Sequence, residues 1–396
     1  MRKFMKMPTV NGLLAAVDRN RMIEFAKAIT RLHQPDGREG PRAYAMAEMM
    51  QHPRLEIHVD PVMPGRPNVI VRLRGNSDAP GLMLNAHIDA TYLRAGWSHD
   101  PLDPWQDGKK LYGGAISDML GGVATMMEVM VSAAALPPLP GDLVFLANMY
   151  HDSNGLGTKY ALASDSDWPI YGINGEPTSM SILTTHGGCV KFEVEFTGKT
   201  AHISRLGAGV DALSAASKAC TAISHLQWTH VASSDLPQLP RVLIGMLNAG
   251  SAAATVADNA LLSGDIRTVP SQSWESVRAD LVRAVAACCP PEITTKVKCL
   301  VRQRSFIGPK SGVLMDALSA GHQQVRGHPV QVNVDTAAQT FVTDAVDMAV
   351  GGVETLIYGP GAWHYAPDEY IDIDEMVDAA RVYLATAANL MNVKHW

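Results

Sequence analysis

The spacing of hydrophobic positions changes along the chain, and it predicts where helices and strands lie. Apolar residues recur at helical spacing over residues 9–34 and again over Arg42–Met50, so each segment is predicted to be a helix. Short apolar runs then alternate with apolar helical segments. The predicted strands are 68–73, 81–86 and 142–148, and the predicted helices are 121–136 and 155–163. This alternation favours an α/β sheet with helices on both faces.

The pattern changes near Thr185. Residues 190–198 alternate strictly between apolar and polar side chains, which predicts a half-buried strand. The segments that follow are predicted as a helix at 210–226, strands at 241–248 and 260–267, and a helix at 273–288. After about residue 304 the α/β rhythm returns, with a helix at 312–326, a strand at 354–358 and a helix at 373–391. We therefore predict one α/β domain, residues 1–187 and 305–396, with a smaller β-α-β-β-α-β domain, residues 188–304, inserted into it.

Composition narrows the class of protein. Apolar residues make up 47% of the chain and charged residues 18%, which is typical of a globular protein. The net charge of −6 argues against a nucleic-acid partner. The basic start of the chain lacks the apolar core of a signal peptide, and no uninterrupted apolar run is long enough to span a membrane. The lack of such a run leads us to expect no membrane partner. The five cysteines are an odd number without a C-x-x-C pair, so we expect reduced thiols and a cytoplasmic location.

Five segments place metal-capable side chains just after predicted strands. They are A-H-I-D with His87 and Asp89, G-G-A-I-S-D-M-L-G-G with Asp118, Y-H-D-S-N-G-L-G with His151 and Asp152, G-E-P-T with Glu176, and G-P-G-A-W-H with His364. Ligands gather beyond the carboxyl ends of strands in open α/β sheets, so these segments can converge on one site. Imidazole and carboxylate groups together suit Zn²⁺, Mn²⁺ or Co²⁺. Each residue alone is more often an ordinary loop residue, and only the joint pattern predicts a metal site.

The order and spacing of these segments resemble the co-catalytic zinc metallopeptidase family that includes aminoacylase, acetylornithine deacetylase, succinyl-diaminopimelate desuccinylase and carboxypeptidase G. The resemblance covers nearly the whole chain. It implies a mixed-sheet, metallopeptidase-like α/β catalytic domain with an inserted ferredoxin-like α+β dimerisation or lid domain. It also implies one or two divalent transition metal ions (Zn, Mn or Co) and a homodimer or higher oligomer.

The resemblance implies a role for each candidate residue. The metal ligands would be His87, Asp118, Asp152, Glu176 and His364, with Asp118 bridging two ions and Asp89 orienting His87. In the inserted domain, G-K-T-A-H matches a family motif in which the histidine, here His202, reaches a neighbouring subunit's site. Arg267, in D-I-R, would clamp a substrate carboxylate. The remaining expected substrate contacts are His186, Thr255 and Thr343.

One position departs from the family in a way that affects the chemistry. Relatives carry two adjacent glutamates, a general base and a metal ligand, where this chain has His151 and Asp152. A histidine can act as a base near neutral pH, so His151 is predicted to be catalytic. The alternatives that it binds metal or contacts substrate stay open. His186 and Thr255 also differ from the family's usual arginine and asparagine, which indicates changed substrate or chemistry.

The main functional hypothesis is therefore a metal-dependent hydrolase that uses metal-activated water to cleave an amide-type or peptide-type C–N bond in a small, carboxylate-bearing substrate. One alternative is an aminohydrolase that releases ammonia from an amino-aromatic acid such as 5-nitroanthranilate. An alternative of a different class is a non-catalytic relative that binds metal or ligand without turnover.

Overall fold

The computed structural model describes residues 9–33, 38–90, 93, 95–151, 154–334, 338–363 and 366–393. Two predicted metal ligands, Asp152 and His364, lie outside these residues. The chain divides into two compact units. The first contains Met1–Thr184, Ile307–Ala338 and Thr343–Trp396, and the second contains Thr185–Phe306 and Gln339–Val342. The predicted inserted domain, 188–304, lies inside the second unit, which also includes the distant segment Gln339–Val342.

The helices and strands are numbered here in chain order. Before the second unit come α1 (Val10–Ala15), α2 (Arg19–Arg31), α3 (Gly40–Met49), β1 (Leu55–Met63), β2 (Arg66–Leu73), β3 (Ala79–His87), β4 (Trp105–Asp107), β5 (Lys110–Tyr112), α4 (Gly121–Ala134), β6 (Gly141–Asn148), α5 (Leu156–Ser164) and β7 (Tyr171–Asn174). The elements that follow are β8 (Thr185–His186), β9 (Gly188–Thr197), α6 (Ala212–Ser224), β10 (Arg241–Ala249), β11 (Asn259–Thr268), α7 (Trp274–Cys288), β12 (Thr294–Gln303), β13 (Phe306–Ile307), α8 (Val313–Arg326), α9 (Ala345–Val350), β14 (Glu354–Ile357), β15 (Tyr370–Asp372) and α10 (Ile373–Leu390).

The first unit is built on a mixed sheet with the strand order β1-β2-β6-β3-β7-β14 among the described residues. The strands from β6 to β14 run parallel, while β1 and β2 are antiparallel to their neighbours. Helices cover both faces. Phe145 of β6 packs in the larger core with α4, α8 and α10, whereas the next residue, Leu146, packs in the smaller core with α5 and α9. Because both faces are buried, the parallel strands are nearly continuous apolar runs.

The first unit differs from the sequence prediction near its start. The helix predicted over 9–34 is two helices, because Asp18 is extended and its carboxylate accepts hydrogen bonds from the backbone N–H groups of Asn20 and Arg21. This N-cap begins α2, and the apolar residues on either side keep helical spacing across the break. Strand β1, which the sequence analysis did not predict, lies at the sheet edge, where Pro61 is tolerated.

The second unit has the β-α-β-β-α-β order that the sequence predicted. Its antiparallel sheet has the strand order β10-β11-β9-β12, which is the ferredoxin-like arrangement. Helices α6 and α7 pack on the sheet and bury a separate core around Phe192, Leu262 and Leu281. This unit therefore has its own hydrophobic core.

Within the described residues, the helical segment Ile116–Ala134 is long and apolar enough to cross a membrane, but 94% of it is buried inside the protein. It contains Glu128, whose carboxylate accepts hydrogen bonds from Arg21 Nε at 2.7 Å and from the Asp18 backbone N–H at 2.7 Å. Such burial and internal pairing are those of a core helix.

Candidate metal centre

Three predicted site residues meet at the carboxyl edge of the parallel strands. His87 is the last residue of β3, Glu176 lies two residues after β7, and His151 lies three residues after β6. All three side chains are buried. One ligand atom from each of them lies within 4.8 Å of the other two. The parallel topology therefore assembles the cluster, because the carboxyl ends of parallel strands lie at the same edge of the sheet.

The distances within the cluster are short. Glu176 Oε1 lies 3.9 Å from Nε2 of His87 and 3.9 Å from Nε2 of His151. His87 Nε2 is also 3.1 Å from Oδ1 of Asp118. Asp118 belongs to an irregular helical turn, Ile116–Leu120, which leads directly into α4, and a cis peptide bond joins it to Met119. The predicted residues His87, Asp118 and Glu176 are thus brought together.

The ring of His87 is held on its other side by Asp89. Nδ1 of His87 lies 3.0 Å from the backbone carbonyl of Asp89 and 3.4 Å from its Oδ1. The buried guanidinium of Arg42 donates to the backbone carbonyls of Ile88 and Ile29, which fixes the segment after β3. Asp89 thus contacts the ring nitrogen of His87 opposite the one that faces Asp118, and its role as an orienting residue stays a prediction.

His151 has a partner that the sequence analysis did not assign. Its Nδ1 lies 3.0 Å from Oδ2 of Asp344, and the same oxygen accepts a hydrogen bond of 2.7 Å from Nδ2 of Asn148. The chain of buried hydrogen bonds continues through Asn85, which donates to Asn148 Oδ1, and Asn174, which donates to Asn85 Oδ1, both at 2.8 Å. The sequence signals were an asparagine near the end of each of three apolar strands and the predicted substrate contact Thr343, the residue before Asp344.

The turn that carries His151 is fixed by close contacts. The backbone N–H of Tyr150 donates to Oε1 of the buried Glu39 at 3.3 Å, and Arg66 binds the same oxygen at 2.9 Å. Gly155 has a positive φ of 67°, and a Cβ atom there would lie 2.9 Å from Oδ1 of Asp344. The glycine therefore allows the chain to begin α5 while Asp344 reaches His151.

Charge and burial compete in this cluster. Burial lowers the pKa of His87, but its hydrogen bonds to Asp118 and Asp89 outweigh burial and raise the pKa well above its usual range. Burial also lowers the pKa of His151, and the charge of Asp344 more than offsets it, raising the pKa to about 10. Burial raises the pKa of Glu176 to about 8. Without a metal ion, protons held by the two histidines balance the negative charge of the buried carboxylates. A divalent cation among these side chains would take over that role.

The residues fit a divalent metal ion. Among the described residues, neither carboxylate oxygen of Glu176 has a hydrogen-bond partner, although both are buried. A buried carboxylate is costly unless a cation or hydrogen-bond donors balance it. Two imidazoles and carboxylates form a donor set suited to Zn²⁺, Mn²⁺ or Co²⁺. His87, Asp118 and Glu176 would therefore hold the ion, and the predicted ligands Asp152 and His364 fall outside the described residues.

The predicted substrate contacts lie in different places. Thr343 belongs to the first unit, where its buried Oγ1 accepts a hydrogen bond from the backbone N–H of Ala345. The others belong to the second unit. There His202 is exposed and its backbone forms an isolated bridge with Thr255. Their roles toward a substrate stay predictions.

The other two predicted contacts of the second unit have defined surroundings. Arg267 Nε lies 2.9 Å from Asp265 Oδ1, and its Nη1 donates to the backbone carbonyl of Thr340 at 3.2 Å. His186 is buried, and its ring stacks on Phe306 with centroids 5.6 Å apart. The fork of Arg267 is thus oriented, and the ring of His186 is held against Phe306.

The sequence of the chain matches a known protein family. Residues 83–389 match the family described as Peptidase family M20/M25/M40. The chain belongs to this family. This match confirms the predicted family, and with it the prediction of an enzyme that hydrolyses C–N bonds. Members of the family bind one or two divalent metal ions.

Individual relatives agree with the family. The N-formyl-4-amino-5-aminomethyl-2-methylpyrimidine deformylase of Bacillus subtilis (strain 168) is 26% identical over 365 residues, covering 82% of this chain and 83% of the relative. The acetylornithine deacetylase of Erwinia tasmaniensis is 27% identical over 327 residues, covering 80% of this chain and 82% of the relative. The structure of human carnosine dipeptidase 1 has a TM-score of 0.78 at 12% identity and covers 98% of this chain and 100% of that chain. The last comparison confirms the predicted fold.

Proposed function

We propose that the protein is a metal-dependent amidohydrolase that cleaves an N-acyl bond in a small substrate bearing a carboxylate. The observation that carries this proposal is Glu176, a fully buried carboxylate beside two imidazoles with no hydrogen-bond partner among the described residues. The deformylase and deacetylase relatives support the kind of bond. No feature of the described cluster favours release of ammonia from an aromatic ring over this reaction.

The chain's own residues prepare the place for the reaction. A divalent cation held by His87, Asp118 and Glu176 would supply a water nucleophile that is activated near neutral pH. Asp89 holds Nδ1 of His87, so its Nε2 is directed into the site. The burial of these side chains keeps bulk water away, which strengthens every electrostatic contact within the cluster.

The second unit would supply substrate recognition. Arg267 is oriented by Asp265 and Thr340, and a guanidinium carries five N–H donors, more than these contacts use. We propose that it binds the substrate carboxylate, and that Thr255, His186 and Thr343 are further substrate contacts. We further propose a homodimer in which the exposed His202 reaches the partner's substrate, an isologous arrangement about a two-fold axis.

The experiment that tests the proposal is product identification. Metal-stripped protein, reloaded with Mn²⁺ or Zn²⁺, is incubated with N-formyl and N-acetyl amino acids, dipeptides and aminobenzoates. We expect a metal-dependent new amine from an acylated substrate. His87→Ala and Asp118→Ala should abolish it, while His225→Ala, at an exposed histidine after α6, should not. Ammonia from an aminobenzoate, or hydrolysis that persists in His87→Ala, would overturn the assignment.

A further inference from the structure

We propose that His151 is a metal ligand rather than a proton acceptor, and that Asp344 is the residue that positions it. This inference rests on the proposed metal-dependent function. It adds His151 to the ligands His87, Asp118 and Glu176, so that two imidazoles from the strand ends face the same carboxylate. Two histidines and a glutamate form one of the donor sets that hold a catalytic zinc ion and leave a coordination position open.

The rings of His87 and His151 have matching contacts at both nitrogen atoms. Each ring has an aspartate at Nδ1: Asp89 Oδ1 lies 3.4 Å from His87, and Asp344 Oδ2 lies 3.0 Å from His151. Each ring directs Nε2 to the same oxygen of Glu176, at 3.9 Å in both cases. A carboxylate–histidine–metal arrangement is the usual way in which proteins orient a ligating imidazole. The feature that makes His87 a ligand is therefore repeated at His151.

The contact with Asp344 also fixes the tautomer of neutral His151. Each carboxylate oxygen of ionised Asp344 can only accept hydrogen bonds, so the proton in its contact with His151 lies on Nδ1. In the neutral ring this leaves the lone pair on Nε2, the atom that faces Glu176 and His87. Ligand atoms about 2.1 Å from a tetrahedral ion are separated by roughly 3.4 Å. The separation of 3.9 Å found here needs only a small inward movement of the side chains.

The carboxylate of Asp344 is itself held in place by buried hydrogen bonds. Asn148 donates to the same Oδ2 that contacts His151, and Asn85 and Asn174 continue the chain beneath the strand ends. A network of this kind allows little rotation of the carboxylate, because each change would leave a buried polar group unpaired. Binding of Nε2 to a cation also removes its ability to accept a proton. The role of the family's glutamate base would then pass to another group.

The test measures metal binding rather than turnover. Full-length apoprotein is titrated with Co²⁺, and affinity and the visible absorption spectrum are recorded. We expect His151→Ala and His87→Ala each to weaken binding about 100-fold or more and to change the spectrum. Asp344→Asn, which removes the anionic acceptor, should weaken binding roughly 10–100-fold. The matched control is Asp347→Asn, one turn further along α9, which should bind as the wild type does.

The outcomes separate this inference from the proposed function. Wild-type affinity and an unchanged spectrum in His151→Ala would overturn the ligand role, even if that variant were inactive. An unchanged affinity in Asp344→Asn would overturn its positioning role. Failure of the wild type to bind Co²⁺ would instead overturn the metal-dependent function itself. A check independent of variant folding is an anomalous difference map of zinc-loaded wild-type crystals. An ion about 2.0–2.1 Å from His151 Nε2 supports the proposal, and one beyond hydrogen-bond distance overturns it.

Discussion

The imidazole rings of His87 and His151 lie face to face, with centroids 4.6 Å apart and planes 12° from parallel. The stack follows from the parallel pairing of β3 and β6, in which His87 is the register partner of Asn148, three residues before His151. Two imidazolium cations this close repel each other. Two neutral rings that direct Nε2 to one cation do not. The stack is therefore an arrangement that a divalent ion stabilises.

The first prediction concerns turnover of His151→Ala. A ligand and a general base both support the reaction, so the catalytic rate should fall about 10²–10⁴-fold in either role. The two roles differ in their response to metal. Loss of a ligand weakens metal binding, so activity of the variant should rise as the metal concentration is raised. The measurement is kcat against free Mn²⁺ or Zn²⁺ for wild type and variant. An activity that stays low and flat at saturating metal would show a base.

The second prediction concerns the polar chain beneath the cluster. Asn148→Ala removes the donor to Asp344 and the acceptor for Asn85, and both are buried. Each buried polar group left unpaired costs roughly 1–3 kcal/mol, so the free energy of unfolding should fall by a few kcal/mol. Urea unfolding of the metal-free protein measures it. The exposed Gln106→Ala is the control, since its side chain bonds only to a turn carbonyl in the described residues. Equal stability of the two variants would contradict the network's role.

Three residues of the cluster, His87, His151 and Glu176, follow apolar strands, which indicated from the sequence that they could converge. Asp118 lies in an irregular turn before α4, and it was predicted only through the resemblance of its glycine-rich motif to a family motif. The partner of His151 was not predictable in this way. Asp344 lies 193 positions away at the start of α9, and the packing of α9 against α5, β7 and β14 brings it to His151.

The limits of the fold prediction have a local cause. The alternation of apolar and polar residues over 190–198 identified the first long strand of the second unit, β9, since one face of its sheet is more buried than the other. In the first unit, apolar spacing alone continued through the break between α1 and α2, where the side chain of Asp18 caps the start of α2. Hydrophobic periodicity indicates which face of a helix is buried. It does not reveal a helix cap when the apolar residues before and after the cap keep the same helical spacing.

The third prediction tests the proposed dimer and the role of His202. His87→Ala lacks a metal ligand but keeps His202, while His202→Ala has the opposite defect. If His202 acts across the dimer, a hybrid dimer contains one intact site. Random re-association of equal amounts yields half hybrids, so the mixture should recover about a quarter of wild-type activity. The measurement is activity after co-refolding or co-expression.

Two controls accompany the mixing experiment. Light scattering should give the mass of two chains for each variant. A mixture of His87→Ala with Asp118→Ala, which carry defects in the same metal cluster, should stay inactive. Recovery no greater than the sum of the separate variants would show that His202 does not act in the partner's site.

The last prediction concerns the pH dependence of stability and involves a histidine outside the metal cluster. His322 is buried, its Nδ1 lies 2.8 Å from the hydroxyl of Tyr358, and burial lowers its pKa to about 4, with smaller effects from His328 and Arg326. In the unfolded chain the pKa is about 6.5. Between these values the unfolded state binds a proton that the folded state does not, so stability is lost as pH falls from about 6.5 towards 4.

The variant His322→Gln removes this titration while a side-chain amide can still bond to the Tyr358 hydroxyl. Between pH 7 and pH 5 the wild type should lose about 2 kcal/mol more of its unfolding free energy than the variant does. The measurement is urea unfolding of the metal-free protein at both pH values, and His225→Gln, at an exposed histidine of the second unit, is the control. Parallel pH profiles for wild type and His322→Gln would mean that His322 does not govern acid stability. A flatter profile only in His322→Gln would assign that loss to the buried imidazole.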